Sequence, residues 1–301
     1  MQRLLLIYNP HSSHYTHVKN EIIPRASKIE GTIIGKFAIK KIPFEENVQS
    51  LKEILENGDT AIVLGGDATA AITANAIIES GKDVTLGVLP YGNFNDLART
   101  LGTMRYEDVF DKQKITTLYP LDTIIDGIHW RYATCYVTIG MTAESVEIFD
   151  DPKIRKSLQK GHKSSWRSYL QLAEWYFKNR HKKTFIPDFT INGAPSTKKA
   201  SDYAAVNGRS MCRVMKGGND YLKPKVFRSI SAKLTSFPRL FKLMATSILV
   251  RTPGVETTGD LLEFQNPATI ELQAEGEYRV FKDIKTIEIK KGDKCLKVIH
   301  A

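Results

Sequence analysis

Two short apolar runs, residues 61–64 and 84–89, each break into a polar, glycine-containing turn and then into a helix-forming segment. The first turn is Gly65-Gly66-Asp67-Ala68-Thr69, followed by an Ala/Ile-rich stretch without Pro or Gly up to Ser80. The second is Pro90-Tyr91-Gly92-Asn93-Phe94-Asn95-Asp96, with a helix expected from about Leu97. Strands that are apolar throughout and alternate with helices predict a parallel sheet covered on both faces. The pattern extends upstream. A strand over 3–8 ends in Asn9-Pro10-His11-Ser12-Ser13, and a helix runs to about Ser27 with Pro24 inside it. A second strand covers 32–40, an amphipathic helix covers 44–56, and Asn57-Gly58-Asp59 leads into the first apolar run. This is the doubly wound pattern, whose ligands lie at the carboxyl ends of the strands.

After a helix expected around 105–113 the texture changes. Residues 121–132 read as a strand, a two-residue Asp126-Gly127 turn and a second strand that runs on through Cys135 and Val137 to Gly140. Antiparallel hairpins therefore begin near residue 120, which is where a domain boundary is expected. Further strands are predicted over 185–191 and 201–206, with Asn192-Gly193 as a turn between them. An amphipathic helix follows over 237–250, then an alternating strand over 268–273 and the tight turn Ala274-Glu275-Gly276-Glu277. Strands around 286–290 and 295–299 close the chain.

The two polar turns fall on one edge of the predicted sheet. Gly65 and Gly66 have no Cβ, so backbone N–H groups can approach a phosphate and the turn can take positive φ. The helix that follows presents unpaired N–H groups and the positive end of its dipole. An Asp beside a phosphate is repulsive unless a cation intervenes, so Asp67 points to Mg²⁺ or to a ribose or water contact. A single such turn reads first as an ordinary strand-to-helix connection capped by Asp; the second turn reverses that order in favour of the phosphate. Asn9 can hydrogen-bond nucleotide or backbone, and Ser12 can cap the first helix. His11, His14 and His17 recur every third residue but have no acidic or Cys companions, which argues against a metal site. The chain has neither GxxxxGK[ST] nor GxGxxG, against P-loop and dinucleotide folds.

GGDAT followed by PYGNFNDLAR resembles the paired GGDGT and P-x-G-T-x-N-D-x-A-R motifs of the diacylglycerol kinase catalytic domain, a superfamily that includes sphingosine and ceramide kinases. Asn9-Pro10-His11-Ser12-Ser13 resembles its N-P-x-S-G turn, and Glu275-Gly276-Glu277 its D-G-E motif. The resemblance implies an α/β fold with an N-terminal doubly wound nucleotide-binding domain (1–120, with a segment near 290–301 returning to it). A β-rich layered lipid domain (121–290) with a basic helical insertion (151–183) would follow, the active site lying in the cleft between the two. It implies ATP and Mg²⁺ as cofactors. Asn9, Ser12, Gly65, Gly66, Asp67, Thr69, Gly92, Asn93, Asn95 and Asp96 would be nucleotide contacts, and Asp67 and Glu277 metal ligands. Glu275 would be the general base for a lipid hydroxyl, with Glu277 and Asp67 completing the catalytic set. Read without the resemblance, the same acidic turn is a solvent-facing hairpin. Ala68, Ala71, Ile72 and Asn93 depart from the family pattern. A methyl at Ala68 is expected either to forbid positive φ or to crowd the phosphate, at about 1–2 kcal/mol. The Asp-Gly pair expected beyond Lys223-Pro224-Lys225 is absent, against a structural metal that some relatives bind there.

At 301 residues the chain can hold two cores. Its net charge of +10 favours anionic partners: nucleic acid, an anionic lipid surface or phosphorylated substrates. No recognised nucleic-acid fold is present. Residues 153–183 combine Lys and Arg with Trp166, Tyr169, Trp175 and Phe177, which suits either a membrane surface or a helix packed on the second domain. Three scattered cysteines fit a reducing compartment. No signal segment is visible and no run approaches the roughly 20 apolar residues of a span. The expectation is a cytoplasmic lipid kinase that touches an anionic membrane peripherally, compatible with a homodimer, and converts diacylglycerol to phosphatidic acid. Two alternatives stay open: a non-catalytic relative that senses nucleotide or lipid, and an NAD kinase, which shares GGDGT but not the second motif.

Overall fold

The computed structural model describes residues 2–110, 114–144, 174–175, 177–178, 186, 188–195, 202–211, 215–232, 237–251, 253–292 and 294–301. The basic segment 153–183 thus lies outside the described residues, apart from Glu174, Trp175, Phe177 and Lys178. The chain begins β1 (Gln2–Tyr8), α1 (Tyr15–His17), a π turn (Val18–Ile22), α2 (Ile23–Ala26), β2 (Thr32–Ala38) and α3 (Phe44–Ile54). It continues through β3 (Thr60–Gly65), α4 (Asp67–Ser80), β4 (Thr85–Pro90), α5 (Asp96–Leu101), α6 (Tyr106–Phe110) and β5 (Lys114–Leu118). Then come β6 (Leu121–Ile125), β7 (Ile128–Ala133), β8 (Tyr136–Gly140), α7 (Met141–Glu144), β9 (Phe189–Ile191), β10 (Ala194–Pro195) and β11 (Asp202–Val206). The rest is β12 (Ser210–Met211), β13 (Met215–Lys216), β14 (Phe227–Ala232), α8 (Phe237–Leu249), β15 (Val255–Thr257), β16 (Gly259–Ala274), β17 (Glu277–Lys290) and β18 (Leu296–His300).

The first sheet has the order β2-β1-β3-β4-β18-β5 and is parallel from β2 to β18, with β5 antiparallel at the edge. β18 therefore returns from the far end of the sequence to lie beside β4. Every residue of β3 is buried, which explains why its sequence shows no alternation. The second sheet is antiparallel, in the order β15-β14-β11-β8-β16-β17-β6-β7, with β9 paired to β16. Its two-residue hairpin loops Asp126-Gly127, Asn192-Gly193 and Glu275-Gly276 all have positive φ at both positions, the type I′ geometry that matches strand twist. Pro24 does not end the first helix. It has no N–H to give, and the widened π turn before it lets the helix run on into α2.

α4 joins the two sheets. Its residues from Thr69 to Ile78 are all buried, so the helix is apolar all round rather than amphipathic. It packs on β3 and α3 on one side and on β7 and α5 on the other. The core around it takes in Leu5, Ile7, Val63 and Leu86 of the first sheet together with Tyr136, Ala204 and Val206 of the second. Buried Asn75 is the polar link: its Nδ2 donates to Tyr132 O and its Oδ1 accepts from Tyr132 N, each at 2.9 Å.

The glycines of the two turns serve close approach, not positive φ. Neither Gly65, Gly66 nor Gly92 lies in the left-handed region. A Cβ on Gly92 would stand 2.2 Å from Gly66 Cα, and one on Gly65 would meet the Thr69 side chain at 2.9 Å. The register pairs Gly65 with Pro90, and Tyr91 N donates to Gly65 O at 3.1 Å, so the turns leave the sheet in contact. Gly92→Ala is therefore expected to destabilise the protein by about 3 kcal/mol through overpacking of backbone on backbone. Urea denaturation checks this against Gly259→Ala, where φ is not positive and the added methyl would meet nothing closer than 3.5 Å.

Candidate active site

A cleft of about 720 Å³ opens at the carboxyl edge of the first sheet. Asn9, His11, Lys40 and Lys41 give it polar and cationic lining, and Ile39, Ile42, Phe44 and Ile72 give it apolar lining. α4 contributes Ala68 and Thr69, and Glu277 arrives from the second sheet. The combination of one apolar surface and a few convergent polar groups suits a small-molecule ligand of nucleotide size. Asn9 holds its own turn, its Oδ1 accepting from His11 N at 2.8 Å. Ala68 stands in the first turn of α4 and is absent from the left-handed residues, so the expected backbone strain does not arise. What remains of that expectation is the methyl in the cleft lining.

Asp67 faces the second turn. Its Oδ2 accepts from Asn95 N at 2.8 Å and its Oδ1 from Asp96 N at 2.6 Å. Asn95 is in the left-handed conformation, with φ 59°, and closes the turn on itself: Oδ1 accepts from Gly92 N at 2.7 Å and Nδ2 donates to Gly92 O at 2.8 Å. Ser12 Oγ donates to Tyr91 O at 2.8 Å, tying the first turn of the chain to the same place. Its only cap-like contact is a 3.4 Å bond from His14 N, and the helix begins later, at Tyr15. Asn93 is partly exposed in the turn. The sequence-predicted residues thus divide: Asn9, Thr69 and Glu277 line the cleft, whereas Ser12, Gly92 and Asn95 fasten its turns together.

Three carboxylates converge beneath the turns. Asp96 is buried, with Ser210 Oγ donating to Oδ1 at 2.6 Å and Tyr136 Oη to Oδ2 at 3.2 Å. Glu275, at the hairpin between β16 and β17, is only 3 % exposed. The solvent-facing reading of that turn is therefore wrong for Glu275. Its Oε1 accepts from Thr134 Oγ1 at 2.5 Å and from Cys135 N. Burial pushes its carboxyl up to about 7; the Thr134 and Cys135 donors oppose the shift and the charge of Asp96 adds to it. Asp67 is raised as well, by burial first and then by Asp96, against the pull of its two backbone donors. The neighbouring Cys135 thiol is held in its neutral form by burial.

Residues that sequence reasoning passed over complete the cleft. Arg131, 3 % exposed, lies over the Phe44 ring at 3.5 Å and donates to Glu45 Oε1 at 3.5 Å. Arg279 donates to the same oxygen at 3.0 Å, so one carboxylate of α3 holds two strands of the second sheet. Lys40 and Lys41 follow β2, the neighbour of β1, and the carboxyl-edge rule could have found them. The three histidines scatter: His11 lines the cleft, His14 meets Ser13 and His17 pairs with Glu21. Among the described residues no three His, Cys, Asp or Glu side chains converge as a metal cage. The donor set fits instead a divalent cation that brings phosphate oxygens with it, needing one or two protein carboxylates.

Residues 3–123 match the family model of the diacylglycerol kinase catalytic domain. Over that stretch the chain is similar to this kinase domain. Diacylglycerol kinases of two Staphylococcus aureus strains, bovine RF122 / ET3-1 and MRSA252, are each 33 % identical to it over 102 residues, which is 33 % of this chain and 32 % of theirs. The matched stretch is therefore about a third of the length of those relatives. A crystal structure of a diacylglycerol kinase from Bacillus anthracis str. Sterne superposes with a TM-score of 0.66 at 15 % identity, over 100 % of this chain and 97 % of that one. That likeness shows a shared fold over both sheets, beyond the matched family segment. No helix among the described residues is long and apolar enough to cross a membrane.

The raised carboxyl of Glu275 has a consequence for stability. Its folded pKa, about 7, lies above the ordinary 4.5, so its contribution is full below pH 4.5 and is lost as pH rises through 7. Glu275→Gln is expected to stabilise the ligand-free protein at pH 8 relative to the parent and to narrow that gap at pH 5. Chemical denaturation of both proteins at the two pH values measures it.

Proposed function

We propose that this chain is an ATP-dependent lipid kinase that transfers the γ-phosphate to a lipid hydroxyl, with diacylglycerol as acceptor and phosphatidic acid as product. The observation that carries the reading is Glu275: a carboxylate turned inward, buried beside Asp67 and Asp96, at the junction of a kinase catalytic domain and a second sheet. The cleft of about 720 Å³ would take the nucleotide, with Asn9, His11 and Lys40 near its phosphates or ribose and Phe44 and Ile72 against its base. Bound ATP and Mg²⁺ supply the phosphoryl group and neutralise its charge. Asp67 and Glu277 are the carboxylates proposed to hold the cation, and Thr69 the hydroxyl beside it.

Glu275 acts as general base. The Thr134 hydroxyl and Cys135 N–H fix its carboxylate, and the acceptor's hydroxyl proton passes to it as the oxygen bonds to the γ-phosphorus, whose bond to the bridging oxygen breaks so that ADP leaves. A carboxyl at about 7 is matched to that task near neutral pH, being a stronger base than an ordinary carboxylate while still ionising. The lipid would be met at a cytoplasmic membrane surface. Ala68 in the cleft lining favours a second reading, in which nucleotide binds without turnover.

Purified protein with Mg²⁺, labelled ATP and diacylglycerol in mixed micelles tests this, with sphingosine, ceramide and NAD in parallel. Labelled lipid is expected, with the rate rising as pH passes through about 7 and falling on the order of 10²–10⁴-fold in Glu275→Gln. ATP binding with no transfer to any acceptor would instead assign a nucleotide sensor, and labelled NAD an NAD kinase.

A further inference from the structure

The donors that hold Glu275 are themselves held, and by one side chain. β11 ends at Val206, which is paired with Tyr136 of β8, so the next residue, Asn207, falls beside Cys135. Asn207 is fully buried. Its backbone N–H donates to Cys135 O at 2.7 Å, and Gly208 N donates to the same oxygen at 2.9 Å. The approach requires glycine at 208, where a Cβ would stand 2.9 Å from Cys135 Sγ and 2.8 Å from Thr100 Oγ1. The Asn207 side chain reaches the peptide on the other side of Cys135. Nδ2 donates to Thr134 O at 2.8 Å and, with its second hydrogen, to Tyr119 O at 2.9 Å. Turned over, the amide would set its oxygen against two carbonyl oxygens, so its surroundings accept only this orientation. Oδ1 has no hydrogen-bond partner among the described residues, so the amide is held by its donors alone.

Thr134 O and Cys135 N belong to one planar peptide group. Asn207 Nδ2 donates to its carbonyl end, and its N–H end donates to Glu275 Oε1. Amide, peptide and carboxylate thus form an unbroken chain of hydrogen bonds, in which each bond polarises and strengthens the next. We propose that Asn207 is a positioning residue: it fixes and polarises the Thr134–Cys135 peptide and so aims the Glu275 carboxylate at the acceptor hydroxyl. This rests on the lipid-kinase reading and adds the residue that places its base. With the peptides on both sides of Cys135 fastened by Asn207, the N–H cannot turn away from Glu275. Without the amide the 134–135 peptide is free to tilt, and a displacement of about 1 Å costs a positioned catalytic group on the order of 10²-fold. Asn207 itself is not among the residues that line the cleft, so nucleotide binding does not depend on it. An amide that only satisfied two buried carbonyls would affect stability and leave turnover alone.

The test is a double-mutant cycle on the full chain, with diacylglycerol in mixed micelles as acceptor. Asn207→Ala is expected to lower kcat about 10–100-fold while KM for ATP stays within about twofold of the parent. In the Glu275→Gln background the same substitution is expected to cost less than about threefold, because the base it aims is gone. Asn207→Asp keeps the size, sets oxygen against both carbonyls and is expected to lose at least as much as Asn207→Ala. Amide hydrogen exchange in the ligand-free proteins needs no substrate. Cys135 is expected to exchange about tenfold or more faster in Asn207→Ala, while Tyr132, bonded to Asn75, keeps its protection and reports an intact fold. Faster exchange at Cys135 with no lipid labelled by the parent would sink the kinase reading and leave the hold of Asn207 on Glu275 standing. Lipid labelling by the parent with kcat unchanged in Asn207→Ala, with an equal loss in the Glu275→Gln background, or with unchanged Cys135 exchange would overturn the assignment. Protection lost at Tyr132 and Cys135 together would overturn it as well, since Asn207 would then hold the fold and not the base.

Discussion

The site is assembled by one carboxylate and one backbone contact. Gly66 and Gly92 bring two strand-to-helix turns into touch, and Asp67 of the first turn accepts the N–H groups of Asn95 and Asp96 in the second. Each such hydrogen bond contributes on the order of 1 kcal/mol net, so this pair fixes where α5 begins. With α5 placed, Asp96 points at Ser210 and Tyr136 of the second sheet. The start of α5, and through Asp96 the approach of the second sheet, therefore depend on a single side chain. Asp67 had been read from the sequence for its proximity to phosphate. Its visible work is architectural, and each oxygen keeps a lone pair for a further partner.

The second dependency is electrostatic. Bringing Asp67, Asp96 and Glu275 into one buried region raises Asp67 and Glu275, because desolvation and like charges disfavour ionisation. A protein with no use for the cluster would gain stability by replacing it with apolar groups. The buried stretch of α4, Thr69 to Ile78, set between the two sheets, keeps the cluster from relaxing into solvent. Arg131 and Arg279 on Glu45 add a polar latch where α3 meets the second sheet.

Much of this was legible in the chain. Continuous apolar runs before Gly65 and Pro90 predicted the parallel strands, and Asp126-Gly127 and Asn192-Gly193 predicted turns, which the structure closes with positive φ at both positions; the strand after Asn192-Gly193 is 194–195 rather than 201–206. Strand and helix ends were less visible: β16 begins at Gly259 rather than 268, since its alternation is interrupted by bulges around 263–270. The role of the glycines was misjudged. Local chemistry suggested positive φ, whereas the reason is the neighbouring turn, which sequence spacing does not reveal. Burial of Glu275 was likewise out of reach. It depends on Thr134 and Cys135 meeting a hairpin far along the chain, and a turn rich in acid reads locally as exposed. Arg131 carries no motif at all; its position follows only from β7 lying beside α4.

The claim that Asp67 assembles the site is tested most directly by amide hydrogen exchange at Asn95 and Asp96. The account predicts that both amides are protected in the parent and exchange about 10–100-fold faster in Asp67→Ala, while Tyr132, bonded to Asn75, keeps its protection. Unchanged protection at Asn95 and Asp96 in that variant would show that the second turn holds its shape without Asp67, and would contradict the account.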